Sequence, residues 1–261
     1  MSHHQTWPYA RVLAHRGGGT LAPENTIAGI ETGLRYGYRA IEFDAMLTGD
    51  AVPVLIHDPT LERTTNGTGD VATRSAAELA QLDAGVWMGP RFAGTRLPSL
   101  VDAIAFCRHN GIWINIEIKP APGHDSATGT QVAKVAAQAY ADRLRPGGDR
   151  ASSIDPQAPL LSSFSRESLA AARSAVPDLA RGLLVGPIPA DWEDQLETLC
   201  CVGLHCDHKK LTQALARAVK DAGYWLFCYT VNDPQRAREL FDWGVDAFCT
   251  DRIDLIAASY T

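Results

Sequence analysis

Short apolar runs alternate with amphipathic helical patterns along almost the whole chain, and this alternation restricts the possible folds strongly. Strands that are each followed by a helix form βαβ units, and such units build a parallel sheet. Nine runs have the character of strands: RVLAH, AIEFDAML, VPVLIHD, IWINIEIK, PLLSSF, RGLLVG, CVGLHCD, WLFCYTV and VDAFCT. The pattern therefore predicts an α/β fold.

The second and third of these runs cannot both be parallel strands. AIEFDAML and VPVLIHD are separated by residues 48–51 only, whereas a crossover between parallel strands needs about a dozen residues. They are expected to form an antiparallel hairpin with Gly49 and Asp50 at its turn. Eight βα units remain, and a chain of 261 residues has the size of a TIM (β/α)8 barrel. An open doubly wound sheet is the alternative, because sequence pattern does not show closure.

One long segment interrupts this alternation. Residues 59–98 are rich in Gly, Thr and Asp and are too long for an ordinary connection. We expect residues 1–261 to form one barrel domain, with residues 59–98 as a small insertion near the barrel mouth that holds a short helix in SAAELAQLDAG. A second irregular stretch, RLRPGGDRASSIDPQAP, is expected to be a surface loop.

Composition excludes several classes of partner. A net charge of -6 gives no electrostatic reason to expect a nucleic acid or an anionic membrane. The amino terminus lacks the pattern of a secretion signal, and no apolar run reaches the roughly 20 residues that span a bilayer. Six cysteines without a C-x-x-C pair indicate reduced, buried thiols. We therefore expect a cytoplasmic protein without stable membrane anchoring; a homo-oligomer is compatible with the sequence.

Charged residues lie two positions apart in two of the apolar strands. Glu42 and Asp44 lie in AIEFDAML, and Glu117 lies near the end of IWINIEIK. Residues two apart on a strand share one face, and the active sites of parallel barrels lie at the carboxyl ends of the strands. Like charges brought together need a cation or a proton between them. The pattern predicts an oxygen-only site for one divalent cation, Mg²⁺ or Ca²⁺.

Two histidines and two cations complete the candidate site. His15 and Arg16 end the first strand, and Lys119 follows Glu117 by two residues. The return arm of the hairpin is expected to bring His57 close to Glu42. A planar guanidinium matches a phosphate with two parallel hydrogen bonds, and a lysine can add a second positive charge. This combination favours chemistry on a phosphate group.

A solvent-exposed strand face is the alternative interpretation of these charges. It fits poorly, because the charges sit in apolar runs typical of a barrel core, where each unpaired group costs on the order of several kcal/mol. Glycines 17–19 can present backbone N–H groups to a phosphate, but they lack the spacing of known fingerprints, so a simple strand-to-helix turn is at least as good an interpretation.

Two other chemistries find little support. The run LLSSFS lacks the glycine-flanked elbow of a Ser-His-Asp hydrolase. Cys206 lies beside His205 and His208, which invites a metal interpretation, but a structural zinc site needs about four ligands and no second pair with suitable spacing is present.

Five stretches, taken in order along the chain, resemble the glycerophosphodiester phosphodiesterase family. They are AHRGGGTLAPENT, IEFDAMLTGDAVPVLIHDPTLERTTNG, NIEIKP, YTVND and GVDAFCTD. The resemblance covers essentially the whole chain and is greatest to the cytosolic bacterial members. It implies a TIM barrel that hydrolyses glycerophosphodiesters, such as deacylated phospholipids, to sn-glycerol 3-phosphate and an alcohol.

The resemblance also implies roles for the catalytic and phosphate-binding residues. The histidines of the H-R and H-D motifs act as general acid and general base in this family, and they correspond to His15 and His57. Arg16 and Lys119 match positions that contact the phosphate. Around neutral pH, the ordinary pKa of histidine suits proton transfer in both directions.

The same resemblance implies the cation ligands. The E-x-D pair and the glutamate of E-x-K hold one divalent cation, and they correspond to Glu42, Asp44 and Glu117. Glu24 and Asn25, in the P-E-N-T motif, are expected to support the site and to cap the first helix.

One departure from the family pattern concerns the substrate's alcohol side. Tyr229 precedes Thr-Val-Asn, where many members have tryptophan.

Two alternative functions are compatible with the sequence: a phospholipase D-like phosphodiesterase that acts on lysophospholipids, and a non-catalytic barrel that binds glycerophosphodiesters. The second requires the loss of a chemical residue, and all the core residues are present.

Overall fold

The computed structural model describes residues 6–144 and 154–261. Within them the strands are β1 (Val12–Ala14), β2 (Ala40–Leu47), β3 (Pro53–Leu55), β4 (Trp113–Ile118), β5 (Leu160–Ser163), β6 (Ala180–Val185), β7 (Gly203–Asp207), β8 (Trp225–Tyr229) and β9 (Ala247–Thr250). The α-helices are α1 (Ile27–Arg35), α2 (Ala76–Leu79), α3 (Leu100–His109), α4 (Asp125–Ala139), α5 (Arg166–Ala175), α6 (Trp192–Leu199), α7 (Gln213–Asp221) and α8 (Pro234–Asp242). All nine predicted strands are present.

Eight of these strands form a closed parallel barrel. The strand order is β1-β9-β8-β7-β6-β5-β4-β2-β3, and an additional parallel pairing of β1 with β2 closes the ring. Ala14 pairs with Ile41 on one side of β1, and Val12 pairs with Phe248 on the other. The predicted TIM barrel is therefore confirmed, and the open doubly wound sheet is excluded.

The ninth strand is the predicted antiparallel arm of a hairpin. Ala45 pairs with Leu55 and Leu47 with Pro53, and the Thr48 side chain accepts from Val52 N at 3.0 Å across the turn. The connection of β2 to β3 is too short for a crossover, so the chain turns back along the outer part of β2.

Helix boundaries follow the local capping chemistry. Thr26 caps α1 by accepting from Gly29 N, and Asp233 caps α8 by accepting from Gln235 N, with Pro234 as the first helical residue. The helix expected in SAAELAQLDAG is restricted to Ala76–Leu79. It ends early because the Asp83 carboxylate accepts from three backbone N–H groups, those of Gly85, Val86 and Gly94, which fold the chain into turns.

The amino-terminal end of the barrel is closed by aromatic residues. Trp7 packs edge-on against Trp225 at a centroid distance of 5.2 Å, and Tyr9 stacks on Trp113 at 3.9 Å. Trp113 and Trp225 are the first residues of β4 and β8. Within residues 6–144 and 154–261, this aromatic plug fills the amino-terminal end of the barrel, and a cavity lies at the carboxyl-terminal end.

Several other sequence expectations concern thiols, loops and membrane helices. Each of the six cysteines is buried and carries a free thiol. The expected surface loop at 143–159 lies partly outside the described residues, since 145–153 are not described. Among the described helices, none combines the length and apolar character that crossing a bilayer requires.

Candidate active site

Three carboxylates converge at the carboxyl-terminal end of the barrel. Asp44 on β2 pairs in register with Glu117 on β4, and Glu42 pairs with Asn115, so the two-residue spacing points all three acids into the barrel. One carboxylate oxygen from each of Glu42, Asp44 and Glu117 lies within 4.8 Å of the others. Glu42 and Asp44 are only 4% and 1% exposed. The structure thus brings together the three acids that the sequence singled out.

Asn25 holds Asp44 in place. Its amide nitrogen donates to Asp44 Oδ2 at 2.8 Å, and its Oδ1 accepts from Asp44 N at 3.0 Å. Asn25 has a φ of 56°, in the left-handed region that asparagine tolerates better than most residues. The P-E-N-T motif caps the first helix as expected, but only through Thr26, because the Asn25 side chain is engaged by Asp44.

Glu42 has an oxygen available for a ligand. Its Oε2 accepts from Arg16 N at 3.2 Å, whereas its buried Oε1 has no hydrogen-bond partner among residues 6–144 and 154–261. A buried carboxylate oxygen without a partner is costly. A divalent cation held between Glu42, Asp44 and Glu117 would satisfy it, and oxygen ligands of this kind suit Mg²⁺ or Ca²⁺.

The pKa values of the three acids are shifted in different directions. Burial, reinforced by Asp44 and Glu117, raises the pKa of Glu42 well above its usual value. Burial and Asp44 raise the pKa of Glu117 to about 7. Burial also acts to raise the pKa of Asp44, but the neighbouring Arg16 and other cations outweigh it and lower that pKa. Without a bound cation, the cluster therefore favours carrying a proton at neutral pH.

Two cations border the carboxylates. Lys119 Nζ lies 2.9 Å from Glu117 Oε1 and 3.8 Å from Asp44 Oδ1. Arg16 Nε lies 3.4 Å from Asp44 Oδ2, and Arg16 Nη1 donates to Glu24 Oε1 at 2.7 Å. Arg16 and Lys119 line the same cavity as Glu42 and Glu117, where their cationic groups can meet the nonbridging oxygens of a phosphate.

His15 is oriented by an acid at the end of the adjacent strand. Its Nδ1 lies 2.6 Å from Asp251 Oδ1, and its Nε2 lies 3.7 Å from Glu42 Oε2. Asn232 fixes Asp251 by donating to its Oδ2 at 2.9 Å. Because an ionised carboxylate can only accept, this contact assigns the ring proton to Nδ1 and leaves Nε2 on the side of the carboxylate cluster.

His57 has a matching arrangement on the opposite side. Its Nδ1 lies 2.6 Å from Asp58 Oδ1, and Asp58 is in turn bonded to the guanidinium of Arg63. Arg63 also forms two hydrogen bonds to Glu24, at 2.7 and 2.8 Å. The hydrogen bond from Arg63 is the largest cause that lowers the pKa of Asp58 to about 2. Asp58 is therefore ionised at neutral pH and can accept the Nδ1 proton of His57.

The hairpin brings His57 back to the carboxylates. Ile56 N donates to the Asp44 carbonyl oxygen at 3.2 Å, which places the next residue beside this part of β2. His57 and Glu42 line the same cavity, and among the carboxylates it is Asp44 that acts most strongly on the pKa of His57. The pKa of His57 is lower than its ordinary value, and burial of the ring is the largest cause.

Sequence reasoning gave no role to Asp58 or Asp251, although each had a detectable signal. Asp58 directly follows His57 in the chain. Asp251 directly follows β9, and β9 pairs with β1 in the closed barrel, so closure alone brings Asp251 to His15. Arg63 lies within residues 59–98, and nothing in the sequence indicated that it reaches Glu24.

The cavity below the carboxylates has a volume of about 310 Å³, a size typical of small-molecule sites. Phe164 and Tyr229 form an edge-on pair at its rim, 5.6 Å apart. Deeper in the barrel, Asn115 Oδ1 and Ser162 Oγ are buried and lack hydrogen-bond partners within the described chain. The cavity therefore offers both an aromatic wall and polar groups that a ligand can satisfy.

The second metal interpretation, at Cys206, His205 and His208, is not supported. His205 is buried in the barrel interior and stacks on Phe227 at 4.6 Å, and burial lowers its pKa to about 3. Cys206 points to the opposite face of β7, because neighbouring residues on a strand alternate. Among the described residues, the carboxylate trio is the one group of acids, histidines or cysteines that meets the geometry of a cation site.

Comparisons with known proteins agree with this geometry. The profile of the glycerophosphoryl diester phosphodiesterase family matches residues 15–255. A glycerophosphodiester phosphodiesterase from Caldanaerobacter subterraneus is 31% identical over 92% of this chain and 93% of its own length, and one from Bacillus subtilis is 30% identical over 93% and 84%. The structure of an Oleispira antarctica phosphodiesterase in complex with the product sn-glycerol-3-phosphate is 36% identical, with a TM-score of 0.82 and 92% of each chain covered. The chain therefore belongs to the glycerophosphoryl diester phosphodiesterase family, as its motifs predicted.

Proposed function

We propose that this protein hydrolyses glycerophosphodiesters, the diesters left when phospholipids lose their acyl chains, to sn-glycerol 3-phosphate and an alcohol. The observation that carries the proposal is a buried trio of carboxylates flanked by two histidines, each with its Nδ1 at 2.6 Å from an acid. The relative from Oleispira antarctica, in complex with the product sn-glycerol-3-phosphate, supports this substrate class.

In this proposal Glu42, Asp44 and Glu117 hold one divalent cation, Mg²⁺ or Ca²⁺. The fit rests on their mutual distances of up to 4.8 Å and on the buried Glu42 Oε1 that lacks a protein partner. When bound, the cation neutralises negative charge on the phosphate oxygens as it develops in the transition state. Asn25 keeps Asp44 in the ligating orientation through two hydrogen bonds.

Arg16 and Lys119 bind the phosphate. Their charged groups lie on either side of Asp44, at 3.4 and 3.8 Å, so a phosphate that approaches the carboxylate trio meets both. These donors are held by Glu24 and Glu117 before substrate arrives, and such preorganised charges stabilise a transition state without reorganisation.

His15 and His57 transfer the protons. One histidine accepts a proton from the attacking oxygen at Nε2, and the other donates its Nε2 proton to the oxygen of the departing alcohol. Asp251 and Asp58 hold the two rings with Nδ1 protonated and stabilise the imidazolium that forms when Nε2 takes up a proton.

The remaining proposals concern the setting of the site. We propose that residues 1–261 are one catalytic domain and that residues 59–98 are an insertion beside the barrel mouth. In support, an antiparallel bridge between Val54 and Ser99 joins the chain on both sides of that segment. Six buried free thiols support a reducing, cytoplasmic compartment.

A substrate panel with metal removal tests the proposed function. The purified protein is stripped with a chelator and reconstituted with Mg²⁺ or Ca²⁺. It is assayed for sn-glycerol 3-phosphate release from glycerophosphocholine and glycerophosphoethanolamine, and for lysophosphatidate release from a lysophospholipid. We expect release from the first two, lost on chelation and restored by the cation. Turnover of the lysophospholipid alone would favour the phospholipase D-like alternative, and a folded protein without activity on any diester would refute both.

A further inference from the structure

We propose that a second groove beside the active-site cavity binds the alcohol arm of the substrate and selects head groups that carry an ammonium group. The proposal rests on the proposed glycerophosphodiester hydrolysis and extends it to a class of substrate. The groove has a volume of about 380 Å³ and is lined by residues from three parts of the chain: His15, Arg16, Gly19, Thr20, Glu24, Trp87, Met88 and Asp251.

The groove and the active-site cavity meet at the phosphate position. His15 and Arg16 line both spaces, and these are the proposed proton-transfer and phosphate-binding groups. A phosphodiester has two arms that diverge from its phosphorus atom. With the phosphate at Arg16, one arm can enter the barrel cavity and the other can enter the groove.

The chemistry of the two spaces assigns the arms. In the barrel cavity, Asn115 Oδ1 and Ser162 Oγ are buried without a hydrogen-bond partner among the described residues, and Asn115 is 2% exposed. The hydroxyl groups of glycerol can satisfy these atoms, whereas a quaternary ammonium group, which has no N–H, cannot. The glycerol arm therefore fits the barrel cavity, and the alcohol head group fits the groove. This assignment places Tyr229, which lines the barrel cavity, beside the glycerol arm and not on the alcohol side that the sequence comparison suggested.

The groove is suited to an alkylated cation. Trp87 is 41% exposed, and its indole N–H is already donated to the Ala84 carbonyl oxygen at 3.0 Å. The exposed part of its ring therefore offers an aromatic surface and no hydrogen-bond donor, a surface that attracts ammonium groups. Met88 adds a polarisable apolar contact, and Asp251 and Glu24 supply negative charge on the other walls.

The walls of the groove are fixed before a ligand binds. The Asp83 carboxylate accepts from Gly85 N and Val86 N, at 2.8 and 2.9 Å, and so fixes the turn that carries Trp87. Across the groove, Arg91 Nη2 donates to the Leu21 carbonyl oxygen at 3.1 Å. Gly19 lets its loop pack on Asp251, since a Cβ there would lie 2.1 Å from the Asp251 carbonyl oxygen.

The two acids act more weakly than free carboxylates would. Asp251 contacts His15 and Asn232, and Glu24 contacts Arg16 and Arg63, so part of their charge is compensated. Trp87 therefore supplies the larger share of the selectivity. A cation–π contact of this kind corresponds to about 3- to 30-fold in kcat/KM.

The test compares substrates that differ only in the head group. Glycerophosphocholine is set against glycerophospho-3,3-dimethylbutanol, its uncharged carbon isostere, and against bis(glycero)phosphate. For the wild-type protein we expect the highest kcat/KM with glycerophosphocholine. Trp87→Ala should lower that value about 3- to 30-fold and change the values for the two uncharged head groups less than about twofold, and Trp87→Phe should restore most of the choline preference.

Val86→Ala is the matched control, because Val86 lies on the same turn and is 45% exposed but does not line the groove; it should leave all three values unchanged. Thermal unfolding of each variant checks that it folds. Equal losses on all three substrates with Trp87→Ala, or no loss on any, would overturn the head-group proposal. Absence of sn-glycerol 3-phosphate release from the wild-type protein would instead refute the proposed function.

Discussion

The two ends of the barrel are built from the same eight strands but bury opposite kinds of side chain. At the amino end, Trp113 and Trp225 pack with Trp7 in edge-on pairs 5.9 and 5.2 Å apart. At the carboxyl end, Glu42 and Asp44 are 4% and 1% exposed, so they are at least as deeply buried as most of these rings although they are ionisable. The comparison indicates that one end of the barrel contributes mainly to stability, whereas the other holds the groups suited to chemistry.

The difference is one of free energy as well as of composition. Buried aromatic side chains contribute apolar burial and edge-on ring contacts. Buried carboxylates oppose folding unless a proton, a cation or a hydrogen bond compensates them. Substitutions at the amino end should therefore change stability without changing the chemistry. Substitutions at the carboxyl end should change the chemistry, and removal of a buried carboxylate should also change how stability depends on pH.

The largest expected effect is on the chemical step. His57→Ala removes one proposed proton-transfer group and should lower kcat by about 10²- to 10⁴-fold. Thermal unfolding should stay close to wild type, because His57 is only partly buried. His109→Ala, at an exposed position on α3, is the control and should retain full activity. A His57→Ala protein that turns over at the wild-type rate would refute this role for His57.

The second effect is on stability at the other end. Trp225 is 2% exposed and lies in the aromatic plug, so Trp225→Ala should lower the free energy of unfolding by about 3–5 kcal/mol. The rate per folded molecule should remain within about twofold of wild type, since the plug lies at the end of the barrel remote from the carboxylates. Denaturant unfolding measures the stability, and an assay at a temperature where the variant stays folded measures the rate. A loss in kcat as large as that of His57→Ala would contradict the separation of stability and chemistry between the two ends of the barrel.

The third effect is a pH dependence of stability. The pKa of Glu117 is raised from 4.5 to about 7 in the folded protein, so the folded state binds more protons than the unfolded state between these values. Stability of the cation-free protein should therefore fall as pH rises from about 4.5 to 7, by on the order of 2 kcal/mol. Unfolding monitored across this range measures the slope.

Two comparisons sharpen that pH experiment. Glu117→Gln cannot titrate at this position, so the fall in its stability between pH 4.5 and 7 should be smaller than that of the wild-type protein. Added Mg²⁺ or Ca²⁺ should stabilise the wild-type protein more at pH 8 than at pH 5, because the cation competes with protons for the carboxylates. Equal slopes for Glu117→Gln and wild type would contradict the raised pKa.

The smallest of these effects concerns the orientation of the histidines. Asp251→Asn replaces an acceptor-only carboxylate with an amide, which removes the charge that fixes the His15 tautomer. We expect kcat to fall by about tenfold with KM nearly unchanged, because the His15 ring is no longer held in the orientation that serves proton transfer. An unchanged kcat would show that Asp251 has only a packing role.

Much of the fold was predictable from connection lengths and apolar runs. The four-residue gap between the second and third strands identified the hairpin, and the structure pairs Ala45 with Leu55 there. Buried parallel strands have nearly continuous apolar sequences, so an acid within one of them, such as Glu42, indicates a functional site. Spacing by two residues then placed the acids on one face, because the geometry of a strand allows nothing else.

The parts that escaped prediction depend on closure and on side-chain direction. Asp251 reaches His15 only because β9 returns beside β1, and sequence pattern does not show that closure. Arg63 reaches Glu24 across 39 positions of sequence, a contact with no local signature. Asn25 was expected to support the site, but the way it does so, through two hydrogen bonds to Asp44 from a left-handed backbone, could not be predicted from the sequence.

The central claim is that the carboxyl end performs cation-dependent diester hydrolysis with Glu42, Asp44 and Glu117 as the ligands. The most direct measurement is sn-glycerol 3-phosphate release from glycerophosphocholine by the chelated and reconstituted protein, in parallel with calorimetric titration of Mg²⁺ and Ca²⁺ into wild type and Glu42→Gln. We expect wild type to bind one cation and to regain activity with it, and we expect Glu42→Gln to lose both. Full activity in the chelated protein, or unchanged cation binding in Glu42→Gln, would contradict it.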